Sequence, residues 1–238
     1  MIKVINSKDN QKIKFALSLK DNKVRKEKHL FLAESFKTLQ MALEANLVLE
    51  VFSLKPIDLP DDITLNIVSE DIIKKLSSCK NPEGIIFVGK MREKEDKKYR
   101  KILYLDEVND PGNLGTLIRT ALAFNYDAVI ASKNSVSFYN EKVIAASKGA
   151  IFKIDCFNDE LINYKNTHQI IASTLSIDAV DIDQFTYNIP FVLVLGNEAH
   201  GIREENIKIS DKKVIIKIDN IDSLNVALAG AILMHKIR

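Results

Sequence analysis

From residue 102 onward, short apolar runs alternate with helical segments, and this alternation constrains the fold more than any other feature of the chain. The runs are apolar throughout instead of at every second position, which is typical of parallel strands covered on both faces. They are predicted as strands at residues 102–108, 127–132, 151–157, 170–174, 191–196 and 214–218. We therefore expect an α/β fold built on a parallel sheet.

Three helical segments lie between or after these strands. Residues 113–124 carry apolar side chains at helical spacing, which predicts an amphipathic helix on the sheet. Residues 140–149 open with an asparagine and close with a glycine, as helices with regular caps do. The stretch SLNVALAGAILMHKIR, residues 223–238, is apolar on nearly every side. We expect it to form a helix that is buried in the core or against another subunit.

A break in composition divides the chain. Residues 91–101, MREKEDKKYRK, are almost all charged and indicate a solvated linker or an exposed helix. The part before the break is also mixed α/β, with helices predicted at Glu34–Ala45 and Glu70–Leu76 and strands at Leu49–Leu54 and Gly84–Val88. We expect two domains, residues 1–95 and 96–238.

The formal net charge of +2 conceals a basic segment. Residues 1–30 hold nine Lys and Arg but three acids, so they carry +6 and the remainder carries −4. Such a segment is expected where a phosphate backbone binds, although a solvated helix face would look the same. No apolar run approaches the roughly 18 residues that span a bilayer. Cys79 and Cys156 form no CxxC pair, so we expect a reduced, cytoplasmic protein without structural zinc.

The usual nucleotide-binding and hydrolase motifs are missing from the sequence. The eight glycines form neither GxGxxG nor a P-loop, and neither HExxH nor GxSxG occurs. This excludes the common dinucleotide-binding dehydrogenases, P-loop NTPases and glycine-rich methyltransferases. The four histidines are scattered, so we expect no metal site.

Three dense polar clusters remain, each following a predicted strand. They are LDEVNDPGNLGTLIRT at 105–120, LGNEAHGI at 195–202 and DSLNVALAG at 222–230. Open α/β sheets bind ligands at the carboxyl ends of their strands, so these clusters are candidates for one pocket. Plainer interpretations stay open: Asn113 and Ser223 as helix caps, Glu198 as a first-turn acid, and Arg119 as a solvated helix residue.

The polar clusters resemble the three motifs of the SpoU/TrmH family of RNA methyltransferases. Residues 110–121, DPGNLGTLIRTA, are similar to the first motif, in which an asparagine precedes an arginine by six positions, here Asn113 and Arg119. Residues 195–202 resemble the second motif and residues 223–233 the third, in family order. Residues 139–154 are also similar to family members. Upstream, residues 31–43 and 76–88 look like the family's ribosomal-protein-like RNA-binding domain.

The resemblance implies a parallel-sheet domain with a deep trefoil knot, preceded by a small α/β RNA-binding domain. It also implies a homodimer formed through the C-terminal domain and S-adenosylmethionine as cofactor, held mostly by backbone groups. The matching cofactor-binding positions are Leu195, Gly196, Asn197, Ile216, Ile218, Ser223 and Leu224. The matching catalytic positions are Asn113, Arg119, Glu198, Ser223 and Asn225.

The implied reaction is methyl transfer to a ribose 2′-OH of structured RNA, with ribosomal RNA favoured over transfer RNA. We expect Arg119 to grip the target phosphate and stabilise the developing alkoxide. Asn113 would orient the ribose, and Glu198 would position either Arg119 or Asn113. His200 falls on a variable position of the second motif and is not expected to be catalytic.

Some positions depart from the family pattern. The usual Ile-Pro pair before the third motif is missing, so the cofactor contacts within Ile215–Ile218 are open by one position. Ala145–Ala146 stand where many members have an arginine, and Ser35 stands where a glycine is usual. The alternative function is a non-catalytic RNA-binding or ribosome-assembly factor of the same fold. A small-molecule enzyme is a third possibility, disfavoured by the basic N-terminal segment.

Overall fold

The computed structural model describes residues 2–238. The N-terminal part contains β1 (Ile2–Ile5), α1 (Gln11–Ser18), α2 (Asn22–Lys28), β2 (Leu30–Glu34), α3 (Phe36–Glu44), β3 (Val48–Ser53), β4 (Thr64–Val68), α4 (Glu70–Leu76) and β5 (Ile85–Lys90). The remainder contains β6 (Lys101–Asp106), α5 (Pro111–Ala123), β7 (Ala128–Ala131), α6 (Glu141–Ser147), β8 (Asp155–Asn158), β9 (Gln169–Ser173), β10 (Val180–Asp181), β11 (Phe191–Gly196), α7 (Glu204–Lys208), β12 (Lys212–Ile215) and α8 (Val226–Lys236).

The chain folds into two compact units. One comprises the residues up to Glu93 together with Tyr139–Lys153, and the other comprises Lys94–Phe138 together with Ile154–Arg238. The charged segment between β5 and β6 has neither helix nor strand over residues 91–99. Of the two interpretations of this segment, the linker is therefore correct and the exposed helix is wrong.

The first unit is built on a five-stranded sheet in the order β1-β4-β3-β5-β2. β1, β4 and β3 pair in parallel, whereas β5 runs antiparallel to both β3 and β2. The ring of Phe31 stacks on Tyr139 and Phe152, with centroid distances of 5.2 and 5.3 Å. The predicted strand at 151–157 is therefore partly wrong: Ala150–Phe152 form a 3₁₀ helix that packs on this unit, and β8 starts at Asp155.

The second unit is built on a seven-stranded sheet in the order β10-β12-β9-β11-β6-β7-β8. Every strand pair in this sheet is parallel, which confirms the predicted sheet type. β11 lies near the centre, and Phe191–Leu195 are buried along it. Such continuous burial follows from cover on both faces and explains why these strands are apolar at every position.

Helix α8 packs closely on α5 and on the end of β11. A Cβ atom on Gly230 would lie 2.4 Å from Leu117 Cδ2 and 2.8 Å from Leu195 Cδ1, so α8 can approach this closely because residue 230 has no side chain. Leu117 and Leu195 are themselves buried. This contact accounts for the buried face of α8, whereas Leu228 and Ile232 on the same helix are exposed.

Residues 216–225 carry the chain back over the carboxyl ends of the central strands. β12 lies beyond β9 from β11, yet α8 packs against α5 and β11, so this segment must return across the sheet. It contains neither helix nor strand. The predicted strand at 214–218 thus starts two residues too late and ends three residues too late, and the helix expected from residue 223 begins at Val226. Within residues 2–238, no helix combines the length and apolar character needed to cross a bilayer.

Candidate active site

A cavity of about 530 Å³ lies at the carboxyl ends of β9, β11 and β12, beside the start of α8. The edge of the sheet where these strands end is the usual ligand-binding edge of an open α/β fold. All seven residues assigned to cofactor binding line this one cavity: Leu195, Gly196, Asn197, Ile216, Ile218, Ser223 and Leu224. Ile215 lines the cavity as well. The segment Ile215–Ile218 therefore borders the cavity although it lacks the usual Ile-Pro pair.

The cavity combines apolar walls with unused backbone groups. The side chains of Leu195, Ile202, Ile216 and Leu224 contribute to the walls. The peptide groups of residues 217–224 belong to no helix or strand, so their N–H and C=O groups are not committed to regular secondary structure. A flat, polar-edged ring can be held in such a site by apolar contact on its faces and by backbone hydrogen bonds at its edge.

The three motif loops are joined by a chain of hydrogen bonds. Asn225 Nδ2 donates to Asn113 Oδ1 at 3.0 Å, and Asn113 Nδ2 donates to Glu198 Oε1 at 2.8 Å. Asn225 Oδ1 accepts from the backbone N–H groups of Ala227 and Leu228, at 2.9 and 3.3 Å. We call Asn225, Asn113 and Glu198 the relay.

The relay can run in one direction only. Asn225 must turn its oxygen toward the backbone donors of α8, so its amide nitrogen faces Asn113. Asn113 must then turn its own oxygen toward Asn225, which leaves its nitrogen facing Glu198. A carboxylate accepts and does not donate, so the order of donors and acceptors is satisfied at every step. The N-terminus of α8 carries the positive end of the helix dipole, and Glu198 carries a negative charge. Together they polarise the hydrogen bonds of the relay in one direction.

The helix caps distinguish the functional from the structural interpretations of the polar residues. Asp110, not Asn113, caps α5, because its Oδ1 accepts from Asn113 N at 2.7 Å. Asn225, not Ser223, caps α8. The capping interpretations of Asn113 and Ser223 are therefore wrong, and the amide of Asn113 is held by the relay alone.

The loop of the second motif folds back onto the end of β11. Asn197 and Gly201 exchange two backbone hydrogen bonds of 2.9 Å, and a Cβ atom on Gly196 would lie 2.2 Å from the carbonyl carbon of Gly201. Gly196 is thus required by the approach of its own loop. Asn197 Nδ2 donates to the carbonyl of Glu107 at 2.8 Å, which attaches this loop to the one that follows β6.

A buried carboxylate that the motifs did not single out lies beneath this loop. Asp106 is 0% exposed and accepts from Arg203 Nε at 2.7 Å, from Arg203 N at 2.9 Å and from Asn206 Nδ2 at 2.8 Å. Burial alone would lower the pKa of Arg203, but the hydrogen bond and charge of Asp106 outweigh it and raise that pKa. No local sequence pattern identifies this pair, because Asp106 and Arg203 are 97 residues apart in the chain.

Arg119 lies on α5 six residues after Asn113, or about 9 Å along the helix axis. Its side chain is exposed, and within residues 2–238 it has no hydrogen bond or ion pair. Of the five residues assigned to catalysis, Glu198 and Ser223 line the cavity, and Asn113 and Asn225 are joined to Glu198 by the relay. Arg119 is the one that these contacts do not bring into the group.

Both parts of the chain match known protein families. Residues 100–235 match the SpoU rRNA Methylase family, and residues 10–86 match the MRM3-like substrate binding domain. The 23S rRNA (guanosine(2553)-2′-O)-methyltransferase of Bacillus subtilis is 30% identical over 247 residues, covering 100% of both chains. The tRNA (guanosine(18)-2′-O)-methyltransferase of Aquifex aeolicus is 30% identical and covers 62% of this chain and 73% of its own.

Solved structures give the same result for the fold. The AdoMet-bound rRNA methyltransferase of Sinorhizobium meliloti has a TM-score of 0.87 at 25% identity and covers 99% of this chain and 97% of its own. A match over half of the sequence and full-length similarity to a curated relative agree with the three motifs and their shared cavity. The chain belongs to the SpoU rRNA methylase family.

Proposed function

We propose that the protein transfers a methyl group from S-adenosylmethionine to a ribose 2′-OH of structured RNA, with ribosomal RNA favoured over transfer RNA. The observation that carries the proposal is the relay, because it fixes one residue of each motif beside a single cavity. A binding protein without catalytic activity would have no need for an amide held in one orientation from both sides. The relative that matches over its full length is named for 23S rRNA, which favours that class of substrate.

The residues of the cavity fit the proposed cofactor. Its volume lies in the range of about 300–1,000 Å³ that is usual for small-molecule sites. Apolar walls suit the faces of the adenine ring, and the peptide groups of residues 217–224 suit its edge. The carboxylates of Glu198 and Asp222 also line the cavity and would favour a cation. When bound, S-adenosylmethionine supplies a methyl group already activated by its positively charged sulfur.

The chain's own residues would then position the RNA. The relay leaves the second N–H of the Asn113 amide unused, so Asn113 can donate to a ribose oxygen without changing its orientation. Arg119 is a permanent cation and does not serve as a proton acceptor. We assign it to the target phosphate and to the developing alkoxide, for which its exposed guanidinium, unpartnered among residues 2–238, is available. Ser223 would border the cofactor side of the same site.

The two sequence domains would have different roles, RNA binding and methyl transfer. We propose that residues 1–95 bind the RNA substrate, because they contain the +6 segment and match a substrate binding domain. Residues 96–238 would form the methyltransferase domain, in which the return of residues 216–225 across the sheet forms the trefoil knot. We place the activity in the cytoplasm, where an enzyme acting on bacterial-type rRNA would meet its substrate.

We propose a homodimer formed through the C-terminal domain. Leu228 and Ile232 lie one turn apart on α8 and are 61% and 41% exposed, an apolar stripe that a second copy would cover. Leu228→Lys should therefore yield a monomer in light scattering, whereas Lys236→Ala on the same helix should not change the mass. A dimeric Leu228→Lys protein would place the interface elsewhere.

Two measurements test the proposed function: binding of S-adenosylmethionine and detection of methylated ribose in RNA. Calorimetry should detect S-adenosylmethionine at micromolar concentration, and ribose-methyl mapping should find one methylated position in unmodified rRNA incubated with the protein. A chain that binds RNA but not millimolar S-adenosylmethionine would instead be the non-catalytic factor. Methylation of transfer RNA alone would reject the preference for rRNA.

A further inference from the structure

We propose that Asp106, Arg203 and Asn206 form a clamp that positions the second-motif loop against both the cofactor cavity and Asn113. They are positioning residues, since none of the three lines the cavity among the described residues. The inference rests on the proposed function, because it concerns how the cofactor site is held in shape.

The first observation is how the carboxylate is satisfied. Asp106 is fully buried at the last position of β6, and its known donors all come from Arg203 and Asn206, at the start of α7. A carboxylate without contact with water is costly unless it is fully hydrogen-bonded, so the start of α7 is fixed to the end of β6. The geometry is specific, because the Arg203 backbone and side chain bind the same carboxylate from two directions.

The second observation is what the clamp holds. The eight residues that precede Arg203, Leu195 to Ile202, all line the cavity. Their loop is closed at its base by the contact of Gly196 with Gly201. The clamp attaches Arg203, which follows this loop, to Asp106, the strand partner of Gly196, so both ends of the cavity wall are fixed to the sheet.

The third observation connects the same loop to the catalytic residues. Glu107, which follows Asp106, has φ +60°, a backbone conformation that is strained for a residue with a side chain. Its carbonyl accepts from Asn197 Nδ2, and Asn113 on the following helix binds Glu198. The loop therefore borders the cavity on one side and orients Asn113 on the other.

The fold itself does not depend on the clamp. β6 already pairs with β11 over six residues and with β7 over four. Buried ion pairs contribute little net stability compared with apolar packing. A charged pair retained here is better explained by the positions that it imposes on the loop.

Charge relocation gives the sharpest test. Asp106→Asn replaces one carboxylate oxygen with an amide donor, which must face either Arg203 Nε or the pair Arg203 N and Asn206 Nδ2. It should weaken S-adenosylmethionine binding by about tenfold or more in calorimetry. Asp106→Asn combined with Asn206→Asp restores a hydrogen bond between positions 106 and 206 and should recover part of that loss, because Arg203 N then still lacks its acceptor. Arg203→Lys keeps the charge and the backbone donor but loses the planar Nε contact, so it should fold even if Asp106→Asn does not. Glu205→Gln removes only the exposed ion pair of Arg203 and is the matched control, with unchanged affinity.

Hydrogen exchange on the cofactor-free protein provides a readout independent of binding. Amides of residues 197–203 should exchange faster in Arg203→Lys, while those of β11 and β6 stay protected. A folded Arg203→Lys protein with unchanged exchange in this loop and unchanged S-adenosylmethionine affinity would overturn the clamp. If the unsubstituted chain fails to bind S-adenosylmethionine, the proposed function fails, whereas faster exchange in the loop would still support the clamp as the element that positions it.

Discussion

Replacing Gly196 with alanine tests the closure of the second-motif loop. The added methyl would lie 2.2 Å from Gly201 C and from Ile202 N, and 2.5 Å from Gly201 O, all of them backbone atoms. The chain then has two choices. It can keep the contact and accept overpacking, at about 1–3 kcal/mol, or open the loop and lose the two Asn197–Gly201 hydrogen bonds, at about 1 kcal/mol each. Because these costs are alternatives, we expect a loss of about 2 kcal/mol.

Two measurements follow from this magnitude. For a chain of this size, about 2 kcal/mol lowers the thermal midpoint by about 4–8 °C, which calorimetry resolves. Because the displaced backbone lines the cavity, S-adenosylmethionine affinity should fall as well, by about tenfold or more. Gly112→Ala is the matched control: its methyl would meet only Asp110 Oδ1 at 3.0 Å, within the first turn of α5. Its midpoint should change by less than that of Gly196→Ala, since alanine favours helix and the methyl meets a single side-chain atom instead of backbone.

A Gly196→Ala protein with an unchanged midpoint and an affinity within twofold would refute this reasoning. It would mean that the loop adapts without cost and that its closure is not required for the cavity.

Three further predictions concern catalysis and pH. Arg119→Ala should lower methyl transfer by about a hundredfold or more without changing the midpoint, because the side chain is exposed and has no partner in the described part of the chain. Thr116→Ala, one turn earlier, should leave transfer unchanged. Asn225→Asp keeps the cap of α8 but sets a carboxylate against Asn113 Oδ1, so turnover should fall about tenfold or more while the midpoint stays constant. Burial lowers the pKa of His168, opposed by its hydrogen bond to the Tyr99 carbonyl, so the folded protein takes up this proton less readily than the unfolded chain. Stability should therefore decline as pH falls below about 6.5. His168→Gln should reduce that decline when denaturation is measured at pH 7.5 and 5.5. Equal changes of the midpoint in the unsubstituted protein and in His168→Gln would contradict this prediction.

The sequence predicts a strand correctly where the apolar side chains of a segment are buried only because they belong to that strand. β11 was predicted at 191–196 and is observed at those residues, because Phe191–Leu195 are all buried along the strand. Residues 151–157 are apolar for a different reason: Phe152 stacks on Phe31 of the first unit, and the strand begins only at Asp155. Ile216 and Ile218 extended the predicted β12 because they line the cavity, and sequence does not distinguish a cavity wall from a sheet core.

The candidate site was predictable as a set of residues but not as a geometry. Motif spacing identified Asn113, Glu198 and Asn225, and their hydrogen bonds needed the structure because the residues lie 85 and 112 positions apart. The clamp was missed because a single aspartate at a strand end has no local signature. Its partner Arg203 lies 97 residues later, and only the folded sheet brings the two together.

The close fit of Gly230 against Leu117 and Leu195 has a consequence for how the protein is made. Helix α8 can settle only on a surface that α5 and β11 have already built, and Leu117 lies more than a hundred residues earlier in the chain. Contacts of such long sequence separation slow folding, because the connecting chain must be ordered before they form. During synthesis the nascent chain should therefore hold an incomplete cavity until α8 has left the ribosome. Methyl-donor binding would then report on the docking of α8.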